Sequence, residues 1–88
     1  MLSPLVYVKV VCAKKAYCKA GRKDAPEAKS RLLDIAGDRY CFYRQDGRPH
    51  DAARILELAT TKGNATNKEK IRLRKLREEM RCPDELSA

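Results

Sequence analysis

An α+β domain is the fold this sequence predicts: two or three strands packed by two helices, plus a basic C-terminal helix. Three observations predict it. Two short apolar runs, Leu5–Cys12 and Tyr40–Tyr43, are rich in β-branched or aromatic residues and too short for a typical buried helix. Between and after them lie segments with apolar residues at helical spacing, bounded by helix start and stop residues. The last segment, 67–81, sets seven Lys/Arg against three Glu at a helical period. With 88 residues the chain predicts a single domain spanning 1–88. A domain of that size buries roughly 60–65% of its unfolded surface, enough for a few aliphatic layers and too little for a deep substrate cavity.

In chain order, Pro4–Cys12 reads as a strand, apolar at nearly every position and therefore central. Ala13–Lys23 reads as a loop or irregular turn. It contains Lys14, Lys15, Lys19, Arg22 and Lys23 with Tyr17 and Gly21, and no acidic residue occurs from Lys9 to Lys23. Asp24-Ala-Pro-Glu27 opens a helix, with Asp24 as N-cap, proline in the first turn and an acid at the positive dipole end. Ala25, Ala28, Leu32, Ile35 and Ala36 supply its apolar face, and Gly37 fits the left-handed residue that ends such helices.

Arg39–Arg44 reads as the second strand, followed by the turn signal Gln45-Asp46-Gly47. Pro49 and Asp51 open a second helix to Thr60, whose face is Ala52, Ile55, Leu56, Leu58 and Ala59. Gly63 caps it, residues 64–66 turn, and the basic helix follows. A parallel strand pair with a right-handed crossover satisfies this order. Two strands alone make a marginal sheet. A further short strand within Ala13–Ala20 or Arg44–Pro49, or pairing with another chain as a homodimer, completes it.

The charge bounds the partners. Twenty Lys/Arg against twelve Asp/Glu give +8 and a pI near 9.6, which steers a protein toward nucleic acid, anionic surfaces or acidic proteins. A hydrophobic fraction of 43% fits a folded domain rather than a polycationic tail. The N-terminus lacks the basic start and uninterrupted apolar region of a secretory signal, and no run approaches the ~20 apolar residues of a membrane span. The reading is a soluble cytoplasmic protein without membrane partners.

Two basic clusters carry the functional reading. On the C-terminal helix, Lys70, Arg74, Arg77 and Arg81 recur at i, i+4, i+7 and i+11 beside a stripe of Leu73, Leu76 and Met80. They span ~16 Å, a suitable row for phosphates. The competing reading is a solvated face neutralised by Arg74–Glu78 and Lys75–Glu79 pairs at i+4. The second cluster, Lys14, Lys15, Lys19, Arg22 and Lys23, adds Tyr17 as an aromatic able to stack on a base. Ile71 lies away from the leucines and suggests a partner contact. Helices two and three match a helix-turn-helix poorly, because Glu69 and Arg72 fall where buried residues belong.

Catalysis has little support. His50 is the sole histidine, beside a helix start, the serines occupy no nucleophile turn, and the four glycines are isolated. Cys12, Cys18, Cys41 and Cys82 form no close zinc pair, although Cys12, Cys18, Cys41 and His50 together remain an imaginable ligand set. Four reduced thiols, with Cys12 and Cys41 buried in the strands, are expected, with no metal and no cofactor. The leading reading is a non-catalytic nucleic-acid-binding protein, RNA or DNA, that grips backbone phosphates as an accessory or regulatory component. The alternative is an inhibitor or adaptor, of the kind phages and mobile elements encode, docking on an acidic or nucleic-acid-binding surface of a larger protein complex.

Overall fold

Ser3 starts the first helix: its hydroxyl accepts from the Leu5 N–H at 3.3 Å, and Pro4 occupies the first helical position. In the computed structural model, which describes residues 3–82, this helix (α1, Pro4–Lys19) runs for 16 residues. The described chain is built of helices and contains no strand. The α+β expectation is thereby corrected: both predicted strands lie within helices. For the first, no glycine or proline interrupts 5–19, and Val6, Val10, Ala13 and Tyr17 recur at helical spacing. Val10, Ala13 and Tyr17 go into the core. The χ1 cost of valine in a helix is a few tenths of a kcal/mol per residue, less than full burial of one such side chain returns.

The second strand dissolves into a long helical segment. Helix α2 (Ala25–Leu32) passes through a π-helical turn (Leu33–Gly37) straight into α3 (Asp38–Gln45). Gly37 does not end the helix: its φ of −64° is right-handed. Leu32, Ala36, Tyr40 and Tyr43 form one buried line across the junction, and the widened turn re-phases it by accommodating an extra residue. Asp24 sits at the expected boundary but makes no side-chain cap; the turn before it is held by the Asp24 and Ala25 N–H groups, which donate to the Gly21 carbonyl at 3.0 and 2.9 Å.

The true stop comes at Gly47, with φ 71°. The Arg48 N–H donates to the Tyr43 carbonyl at 2.8 Å and the Gly47 N–H to the Arg44 carbonyl at 3.3 Å, a Schellman motif. Helix α4 (Pro49–Thr60) then begins where the proline predicts. Its end is not capped by Gly63; Thr61 is extended and Asn64 takes the left-handed φ of 57°. Thr66 and Glu69 exchange side-chain-to-backbone hydrogen bonds as a capping box that opens α5 (Asn67–Glu79).

The core gathers Val10, Leu32, Ile55 and Leu76, one from each of four helical segments, all completely buried. Tyr40, Tyr43, Ala52, Ala59, Met80 and Cys82 complete it. Of the apolar face read on α4, Ala52, Ile55 and Ala59 are buried, while Leu56 and Leu58 pack partly exposed at its margin. The molecule measures 36 × 31 × 19 Å, about two helices thick. Among the described residues no helix is long and apolar enough to cross a membrane.

Candidate nucleic-acid interface

The fold sorts the cations into those it uses and those it leaves free. Lys14 belongs to the first group. It is buried, and its Nζ donates to the Leu58 and Thr61 carbonyls at 3.0 and 2.9 Å, closing the C-terminal end of α4. Burial pushes its pKa down, yet the two carbonyls are natural partners for an ammonium. Tyr17 is buried as well. Its hydroxyl donates to the Arg72 carbonyl at 3.4 Å, and the Arg72 guanidinium lies 5.7 Å from its ring centroid. Lys14 and Tyr17 therefore leave the sequence-predicted interface: one caps a helix, and the other presents no free ring for a base.

Arg72 does for α1 what Lys14 does for α4. Its Nη1 donates to the Tyr17, Cys18 and Ala20 carbonyls at 2.9, 3.4 and 2.8 Å. Glu69, the other polar residue at an inward helix position, is buried and paired with Lys62. The Lys62 ammonium and the Thr66 N–H hold its carboxyl down at about 2. Both inward polar residues thus have partners within the fold. The acid that sequence spacing assigns to Lys75, Glu79, instead forms a 2.9 Å ion pair with Lys29 on α2.

The second group faces solvent. On α5 the buried face is Glu69, Leu73 and Leu76. At ~100° per residue, Lys70, Arg74 and Arg77 lie along one flank and Lys68 and Lys75 along the other, all exposed. Neither the Arg74–Glu78 nor the Lys75–Glu79 pair forms among the described residues. Ile71 stands between the flanks, opposite the core and 53% exposed. Arg81 is exposed but lies beyond the end of α5, so the regular row stops at Arg77.

Lys15 and Lys19 project from the outer face of α1, and Arg22 and Lys23 are exposed in the following turn. The hydrogen bond from Arg72 to Ala20 ties that corner to α5. The α1 corner thus meets α5 through Arg72, a residue that looks like a misfit in the sequence and lies on the Lys68 and Lys75 side of the helix, away from Lys70, Arg74 and Arg77. A helical projection of 67–79 would have found Lys68 and Lys75, and the Thr66-x-x-Glu69 signature would have found the cap.

Among the described residues no group of three or more His, Cys, Asp or Glu stands close enough to hold a metal. Cys12 is exposed on the outer face of α1, contrary to the buried-strand expectation, whereas Cys18 and Cys82 are buried. Cys41 is half-buried; burial, with a hydrogen bond to Cys82, pushes its thiol up to about 12, far from a reactive thiolate. Compared with protein-family models, curated proteins and solved structures, the chain matches none.

Proposed function

We propose that this chain is a small, basic, non-catalytic protein that binds nucleic acid through backbone phosphates, as an accessory or regulatory component. The contact surface is the outer arc of α5, with the exposed Lys15, Lys19, Arg22 and Lys23 corner as a second basic patch. One observation carries the reading. Cations next to a carbonyl or carboxylate are consumed by the fold, whereas Lys70, Arg74 and Arg77 stand together, exposed and unpaired. Surface signs normally mix, and an unneutralised row is suited to counterion release on a polyanion. Replacing Lys70, Arg74, Arg77 and Arg81 by Gln is expected to weaken oligonucleotide binding and flatten its salt dependence. Fluorescence anisotropy over a salt series checks this, and an unchanged affinity and slope removes the stripe from the interface.

A second reading is favoured by Ile71, exposed in the midst of those cations, and by Leu5, Tyr7 and Val8, exposed at 62, 52 and 55% on α1. Protein interfaces draw their energy from desolvated apolar anchors. Such anchors suit an inhibitor or adaptor on an acidic or nucleic-acid-binding surface of a larger complex. Under the first reading Ile71→Ala leaves stability and oligonucleotide binding nearly intact.

A further inference from the structure

Where α5 ends, Glu79, Met80 and Arg81 meet the π-helical turn and α3 across an open cleft of about 1020 Å³. Leu33 and Gly37 contribute to its floor, and Phe42 lines it with half of its surface exposed. Phe42 is the chain's only phenylalanine, packed edge-on against Tyr43 at 5.8 Å between centroids, and half exposure is an unexpected placement for so large an aromatic side chain. The Arg39 guanidinium stands 5.7 Å from its ring centroid, and Arg81 lies on the same cleft. Arg81 comes four residues after Arg77, beyond the end of α5.

The charge of the cleft decides what fits it. Asp34 and Asp38 line it with Arg39 and Arg81, and Glu79, also on the lining, is paired with Lys29, so carboxylates match the guanidiniums there. The cleft has no surplus positive charge with which to hold a phosphate. It does have a half-exposed ring, carboxylate acceptors and guanidiniums on its lining. A neutral planar group with hydrogen-bond donors on its edge and a phosphate attached outside meets all three.

On that basis, and resting on the nucleic-acid reading above, we infer that the Phe42 cleft seats an unpaired nucleobase, making single-stranded nucleic acid the ligand. The α5 row takes successive phosphates, Arg81 leads the backbone to the cleft, and one base leaves the strand to lie on Phe42. Base-on-aromatic stacking combined with a positive track is a general means of holding single strands. A duplex, whose bases are already stacked and paired, reaches the row but not the ring.

The test uses a labelled mixed-sequence 12-mer and its duplex, titrated by anisotropy over a salt series. The single strand is expected to bind more tightly than the duplex. Phe42→Leu, which keeps apolar bulk at an exposed site, is expected to lose about 5- to 100-fold on the single strand. It leaves the duplex affinity and the salt slope unchanged, because no cation is removed. The chain has no tryptophan, so Phe42→Trp adds a single reporter whose emission should be quenched as the single strand saturates. If the single strand binds with wild-type affinity to Phe42→Leu, or without altering the Phe42→Trp emission, the base assignment is overturned while the phosphate row stands. The cleft is then left to an apolar side chain of a protein partner. If neither oligonucleotide binds the wild-type chain at low salt, the parent reading fails and takes this one with it.

Discussion

Lys14 turns its ammonium onto the Leu58 and Thr61 carbonyls, while Lys15, one residue on and ~100° further round the helix, turns into solvent. In sequence the two are indistinguishable, since both belong to an acid-free basic run; only the position of the α4 terminus assigns them different duties. Arg72 and Arg74 divide the same way, the first closing α1 and the second left on the surface. The consequence is measurable. Lys14→Met keeps the aliphatic stem but removes the donors, leaving two carbonyls at a helix end without that cap. It is expected to cost about 1.5–3 kcal/mol, the usual worth of a hydrogen bond to a charged group, with little effect on the salt slope of oligonucleotide binding. Lys15→Met should do the reverse, sparing stability in a denaturant titration and weakening binding. If the two variants behave alike in both measurements, the division of labour between them is wrong.

Among the elements, the continuous segment from Ala25 to Gln45 and the turn that ends it give glycine two opposite meanings. Gly37 lies in the π-helical turn with right-handed φ, and a Cβ added there meets no atom within 4 Å. Gly37→Ala is therefore expected to stabilise by about 0.5–1 kcal/mol, through lower unfolded-state entropy alone. Gly47 also has open space, but its φ of 71° is required by the Schellman stop. Gly47→Ala should destabilise by about 1 kcal/mol. Thermal or denaturant unfolding checks both signs, and a destabilising Gly37→Ala would argue that the turn needs glycine's flexibility. The same contrast explains what is legible in the sequence. The boundaries at Ala25 and Pro49, the turn at Gly47 and the basic helix can be read there, because caps and turn residues act locally. The two strands cannot be read correctly, because valine and aromatic runs express only a weak local preference. Tertiary burial of Val10, Tyr40 and Tyr43 at helical spacing outweighs it. The exposed row on α5 is legible from its period; the cleft at Phe42 is not, since it exists only where the α5 terminus meets the π turn.

Taken as a whole, the molecule holds a net charge of +8 on a slab 36 × 31 × 19 Å in extent. Exposed cations crowd the outer arc of α5, and at low ionic strength they repel one another across distances shorter than the Debye length of ~30 Å at 0.01 M. The ion pairs of the fold include Lys29–Glu79, which joins α2 to α5, and the short-range pairs Arg48–Asp51 and Lys62–Glu69. Screening should consequently relieve more repulsion than attraction. The melting temperature is expected to rise between about 0.01 and 0.15 M salt, while oligonucleotide affinity falls over the same range. These opposite responses share one source, so removing it should flatten both. The triple change Lys70→Gln, Arg74→Gln and Arg77→Gln is expected to raise the low-salt melting temperature and reduce its salt dependence. It should also lower the binding slope by about 2–3, at roughly 0.7–0.9 for each phosphate no longer neutralised. A triple variant that melts lower than the parent at low salt would mean that these side chains hold the fold together. The exposed row would then be structural, and the surface that meets the polyanion would have to be sought elsewhere on the molecule.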